Sequence, residues 1–396
     1  MFFKLIDRGI ATRALFALCA MVALAGALSA QTYQKPPRAV LDVLNAPVPP
    51  VGALGPTHEY MLLAQGVRYP PLSELAQPML RLAGMRINPN TTGRHRAPYY
   101  VALTLKKVSD GSERKVELPA GAQASFPVWS ADGRRFAFTN TTPSGIELWA
   151  GDAAAARVWK LKGVAVSAVY GTPVQWMPDN RTLLVQTVPA RRGAVPAEET
   201  VPKAPNIQES SGRPGPVRTY QDLLKDPHDA DLFDYYATAQ LALVDAESGK
   251  AKTLGAPAVF ETAEPSPDGA HLLVARLQRP YSFLHPADDF PKEVEVWGRD
   301  AKVEHKLASL PLADEVPIEG VPKGPRSYRW HPTEPATLVW AEALDDGDPR
   351  KKVPHRDRIL SLKAPFAGQP SEVFKTEHRF RGLDWEERGE LMFVRD

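Results

Sequence analysis

The sequence predicts an all-β protein, a propeller of four-stranded antiparallel blades, and three observations carry that prediction. A short pattern recurs along the chain: an aromatic residue or proline, a turn holding Asp, Asn or Gly, then an apolar run suited to a strand. Most copies are followed by a second hairpin signal, and two hairpins make one four-stranded blade. Finally, 39 prolines among 396 residues, about twice the usual share, oppose long helices.

The elements follow in chain order. Residues 1–13 carry Lys4, Arg8 and Arg13, residues 14–28 are apolar or small, and Ala25-Gly26-Ala27 and Ala30 offer cleavage positions. A basic start, a short apolar run and a small-residue exit predict a signal peptide over residues 1–30. Export to the periplasm or outside follows, with no membrane association after cleavage. Cys19 is the single cysteine and lies inside this segment, so the mature chain has no thiol for a disulfide or a Cys-based metal site. Residues 31–53 read as an amino-terminal linker, and residues 54–396 as an incomplete propeller.

Within the propeller, a degenerate copy covers residues 54–63. Trp129-Ser130-Ala131-Asp132-Gly133 leads into Phe136-Ala137-Phe138, and Trp176-Met177-Pro178-Asp179-Asn180 into Leu183-Leu184-Val185. Pro265-Ser266-Pro267-Asp268-Gly269 leads into Leu272-Leu273-Val274, and weaker copies open at Trp330 and Trp385. Asp-Gly and Asp-Asn tolerate the positive φ of tight turns, and apolar residues beyond them enter half-buried strands. The markers lie 47, 89, 65 and 55 residues apart, a base period near the ~40–50 residues of a propeller blade with insertions in some copies. In a β-sandwich, tryptophan is not expected to return beside the turns in this way. The largest insertion spans residues 189–234, and its best helix candidate is residues 218–226.

Composition excludes several functions. Lys and Arg number 48 against 46 Asp and Glu, for a formal charge of +2, which gives nucleic acid no basic excess to bind. One apolar run excludes a multi-span membrane protein. A hydrophobic share of 43% is too high for a disordered chain.

Several longer strings are more specific. They are Pro70-Pro71-Leu72-Ser73-Glu74-Leu75-Ala76, Leu82-Ala83-Gly84-Met85-Arg86-Ile87, residues 218–225, Asp231-Leu232-Phe233-Asp234-Tyr235-Tyr236, Arg279-Pro280-Tyr281-Ser282-Phe283, and residues 290–297. Through them the chain resembles the amino-terminal propeller of the prolyl oligopeptidase family of serine peptidases, in its glutamyl endopeptidase-like branch. The resemblance implies a seven-bladed propeller capping a carboxy-terminal α/β-hydrolase domain with a Ser, Asp, His triad, and a peptide substrate.

That second domain is not in this sequence. No G-x-S-x-G occurs, Ser167 and Ser210-Ser211-Gly212 lack its glycines, and none of nine histidines sits in H-E-x-x-H, so no catalytic residue is assigned. Five clear copies and one weak one give about five to six blades of the expected seven. The last opens at Trp385 and stops at Asp396, which reads as a truncated chain.

Arg279, Arg218 and Tyr281 are the candidate substrate-binding residues. Cleavage after glutamate requires a cation to meet the carboxylate, and Arg does so bidentately. The competing reading is an arginine that ties loops together. Asp345-Asp346-Gly347-Asp348 lacks the ligand spacing of a calcium loop and reads as a solvated turn, as do Asp229, Asp231 and Asp234. The tryptophans read as blade packing. No metal or cofactor is called for. Two functions stand: the substrate-gating lid of an exported serine peptidase acting on short peptides, or a non-catalytic exported propeller binding a protein or glycan.

Overall fold

The computed structural model describes residues 35–198 and 219–396. The expected signal peptide and Arg218 therefore lie outside the described residues. The chain divides into two compact units, Met1–Pro47 and Val48–Asp396. In the first, helix α1 (Arg38–Leu44) follows Pro37 and buries none of its residues.

The second unit is a propeller built from sequential antiparallel meanders. Blade 1 comprises Val51–Leu54, Tyr60–Gly66, Tyr100–Lys107 and Glu113–Val116. Blade 2 comprises Val128–Trp129, Arg135–Thr142, Gly145–Asp152 and Arg157–Ala165. Blade 3 holds Val174–Trp176, Thr182–Thr187, Ala239–Asp245 and Ala251–Ala258. Blade 4 holds Phe260–Pro265, His271–Leu277, Lys292–Gly298 and Val303–Leu310. Blade 5 holds Arg326–Trp330, Thr337–Ala343, Asp357–Lys363 and Ser371–Thr376. The sixth sheet pairs Gly382–Trp385 with Met392–Arg395. Among the described residues, five complete blades and a two-stranded sixth sheet match the five to six blades expected.

Neighbouring blades pack face to face, which is why their second strands read as continuous apolar runs rather than alternating ones. Leu62 and Leu103 of blade 1 meet Phe136 and Phe138 of blade 2. Leu148 meets Val174 and Val185 across the next interface. Leu184 and Leu241 meet Phe260 and Val274, Val296 meets Trp330 and Leu338, and Ile359 meets Phe380 and Leu383.

The tryptophans do more than fill space. Trp129 Nε1 donates to Ala53 O at 3.1 Å, Trp176 Nε1 to Val128 O at 3.0 Å, and Trp330 Nε1 to Glu264 O at 3.0 Å. Each stitches the first strand of its blade to the first strand of the preceding one. The turns after Trp129, Trp176, Pro265 and Trp385 place Gly133, Asn180, Gly269 and Gly389 at φ between 56° and 74°, the left-handed region that these residues enter at least cost.

One expected element moves. The helix of the insertion is α3 (Pro227–Ala237), just after residues 218–226. Asp226 caps it, its carboxylate accepting from Asp229 N at 2.9 Å, and Pro227 opens its first turn. Upstream, Asp222 has φ 58°, which breaks a right-handed helix inside the expected segment.

Candidate functional site

A sequential meander sends its connections alternately to two faces of a propeller. Turns between first and second strands, which hold the Asp-Gly signals, emerge on one face. Connections between second and third strands emerge on the other, together with the crossings to the next blade. Among the described residues the long connections between second and third strands leave from this second face: residues 67–99 of blade 1, 188–198 and 219–238 of blade 3, 278–291 of blade 4 and 344–356 of blade 5.

Three of these excursions build a second layer there. The blade 1 excursion contains helix α2 (Leu72–Leu75) and a three-stranded sheet of Leu80–Leu82, Met85–Asn88 and Gly93–Arg94. Its hairpin turns at Ala83 and Gly84, with φ of 52° and 83°, and a Cβ on Gly84 would lie 2.7 Å from Pro286 Cβ. Gly84 N donates to Asp222 O and Ala287 N to Ala83 O, each at 2.9 Å. Leu82, Ile87, Leu232, Phe233, Tyr236 and Phe290 close a common apolar core.

Two of the predicted site residues meet in this layer. Arg279 donates through Nε to Asp234 at 2.6 Å and through Nη2 to Asp231 at 2.7 Å. Tyr281 hydroxyl donates to the other oxygen of Asp234, and its ring stacks on Phe290 at 4.9 Å and 14°. Burial, with Asp234 beside it, pushes the Tyr281 phenol well above its ordinary pKa, so it remains a donor. Arg279 thus ties blade 4 to α3, and a peptide carboxylate reaching it would compete with two aspartates. The aspartates expected to be solvated are engaged: Asp231 and Asp234 by Arg279, and Asp229 by Lys225 N at 3.0 Å.

No family model matches the chain. It is 38% identical over 372 residues to a protein named "Probable glutamyl endopeptidase, chloroplastic" from Oryza sativa subsp. japonica, covering 89% of this chain and 39% of that protein. A protein of the same name from Arabidopsis thaliana is 38% identical over 371 residues, covering 89% of this chain and 38% of that protein. The chain resembles part of a glutamyl endopeptidase.

The glutamyl endopeptidase-like chain therefore spans under half the length of the curated relatives it matches. Among solved structures it is similar to the β-propeller domain of the trilobed protease from Pyrococcus furiosus. That match has 11% identity, 86% of this chain, 75% of that chain and a TM-score of 0.43. It is also similar to a prolyl endopeptidase, at 12% identity, 88% of this chain, 40% of that chain and a TM-score of 0.48. The propeller assignment rests on sheet order and packing, not on these likenesses.

Two polar clusters of the layered face escape sequence reasoning. Glu261, at the start of blade 4, accepts from Lys292 Nζ at 2.5 Å and from Tyr328 hydroxyl at 2.9 Å. Tyr170 hydroxyl bonds Asp288 at 3.0 Å beside it. Lys292 and Tyr328 line a cavity of about 330 Å³ together with Arg326. In blade 5, Asp345 accepts from Arg356 Nη1 at 2.8 Å, Arg379 Nη2 at 2.6 Å and Gly347 N at 3.0 Å. The segment 345–348 is a turn, as expected, but Asp345 is buried rather than solvated, because two arginines from later in the chain close over it. Asp357 accepts from Arg379 Nη1 at 2.7 Å and Phe380 N at 2.6 Å. Arg326 Nη2 lies 2.5 Å from the same carboxylate, an ion pair by distance that is not aligned as a hydrogen bond.

Among the described residues no serine hydroxyl is bonded to a histidine ring. The ring nitrogens of His271 and His285 meet Glu304 and Asp289 instead.

Proposed function

We propose that this chain is the propeller part of an exported serine peptidase of the prolyl oligopeptidase family, glutamyl endopeptidase-like branch. Its role is that of a lid, gating the access of short peptides to a carboxy-terminal α/β-hydrolase domain. The observation that carries the reading is 38% identity over 372 residues to proteins named as probable glutamyl endopeptidases, of which this chain covers 39%. The second layer of excursions supports it, since it gives one face a built surface on which a domain can rest.

In this reading the chemistry is acyl transfer through a serine activated by histidine and aspartate, all supplied by the hydrolase domain. The propeller contributes selection: a narrow approach admits an unfolded segment and rejects a folded protein. Export is part of the proposal, supported by the basic start and short apolar run of residues 1–30.

The test uses the longest natural protein that contains this chain, assayed on short peptides with glutamate at the scissile bond and on a folded protein. Rapid cleavage of the peptides alone, with covalent labelling by a serine-directed fluorophosphonate, is expected. Absence of both cleavage and labelling would overturn the proposal.

A further inference from the structure

Arginines on the layered face are mostly committed. Arg81 and Arg86 both reach Asp222, Arg279 is held by Asp231 and Asp234, and Arg379 by Asp345 and Asp357. Arg94 and Arg96 differ. Among the described residues neither has an acidic partner within ion-pair distance, and both line one cavity of about 190 Å³.

The surroundings of that cavity suit an anion with a polar backbone attached. Its walls include Ser125 at the crossing from blade 1 to blade 2, Thr139 and Thr141 on the second strand of blade 2, and Tyr99. Arg94 Nε donates to Val169 O at 3.3 Å, which anchors the guanidinium and leaves its two Nη groups for a ligand. Arg96 holds φ at 57°, a backbone conformation costly for a long side chain, of the kind kept where the surroundings demand it. The one acidic wall residue, Glu74, accepts from Tyr99 hydroxyl at 2.8 Å, so its charge is partly engaged. The cavity is smaller than the ~300 Å³ at which whole small-molecule sites begin, which favours one side chain over a cofactor.

We propose that Arg94 and Arg96 form a carboxylate-binding subsite that takes the acidic side chain of a peptide bound at this face. The inference rests on the peptidase reading and names the group that selects its substrate. A guanidinium presents parallel N–H donors that match the two oxygens of a carboxylate and not the single oxygen of an amide.

The test measures binding of three peptides to the 396-residue chain by NMR titration. They are acetyl-Ala-Glu-Ala-amide, acetyl-Ala-Gln-Ala-amide, and acetyl-Ala-Gln-Ala with a free carboxy terminus. The glutamate peptide is expected to bind at least about tenfold more tightly than either glutamine peptide, the scale of one charge-assisted contact.

Arg94→Gln, and Arg96→Asn, which keeps a residue tolerant of positive φ, are each expected to abolish that preference. Lys252→Gln, on the exposed outer strand of blade 3, is expected to retain it. Equal binding of the first two peptides, a preference that survives both substitutions, or tight binding of the free carboxy terminus alone would each overturn the subsite. A longer protein without peptidase activity, beside an intact glutamate preference in this chain, would count against the proposed function and not the subsite. Glutamyl cleavage whose selectivity survives both variants would count against the subsite alone.

Discussion

Asp345 shows how much of this molecule depends on pairs distant in sequence. Its side chain is fully buried, and burial alone raises a carboxyl pKa, but Arg379 and Arg356 outweigh that and hold it below the usual carboxylate range. A carboxyl whose pKa is lower in the folded than in the unfolded chain stabilises the fold fully above the unfolded value. That contribution is lost as pH falls from about 4 through the depressed folded value. Urea unfolding followed from pH 7 to pH 3 should show stability falling across this window, with a flatter profile in Asp345→Asn. An identical slope in the variant would remove Asp345 from the account. The turn at 345–348 was legible in its Asp-Gly composition. The burial was not, because the two arginines lie 11 and 34 residues further on and no local spacing relates them.

At the level of elements, α3 is held more by what it packs on than by its own length. Asp226 and Pro227 fix where it begins, and its inner face carries Phe233, which is fully buried. The Phe233 ring meets Tyr281 edge-on at 5.1 Å and Phe290 at 5.8 Å, so it sits at the junction of the blade 3 and blade 4 excursions. Phe233→Ala should cost about 3–5 kcal/mol in denaturant unfolding, the range for removing a large buried aromatic side chain. It should also loosen the Asp231 and Asp234 tie to Arg279, read as faster protease nicking within the blade 3 excursion. A loss below about 1 kcal/mol would mean that the second layer is not integral to the propeller. Blade elements were legible because turn residues and apolar runs recur locally. The helix was displaced because Asp222 adopts a left-handed backbone, for which Arg-Thr-Tyr-Gln-Asp-Leu-Leu gives no signal.

For the molecule as a whole, the sixth sheet differs from the others in having two strands among the described residues. Met392–Arg395 pairs with Gly382–Trp385 on one side, and Leu391 and Phe393 are 63% and 60% exposed. A strand edge with apolar neighbours in water is a template for pairing with another chain. Light scattering of the purified chain should therefore show association that grows with concentration. Phe393→Lys should suppress it while leaving the far-ultraviolet circular dichroism unchanged. Equal scattering from both proteins would show that this edge is not where copies meet.

The sequence by itself determined the repeating blade, because strand alternation, tight turns and the tryptophan marker are all encoded within a few residues of one another. It also determined the relationship to glutamyl endopeptidases, through strings long enough to be specific. Only the tertiary structure decided which charges are spent and which are free. Arg279, Arg94 and Arg96 look alike in sequence, yet the first is claimed by two aspartates of α3 while the others face a cavity without an acidic partner among the described residues. The meander delivers excursions from blades 1, 3 and 4 to one face. The contact of Tyr170, in the crossing from blade 2 to blade 3, with Asp288 of the blade 4 excursion, 118 residues apart, exists because both segments reach that face rather than through any local pattern.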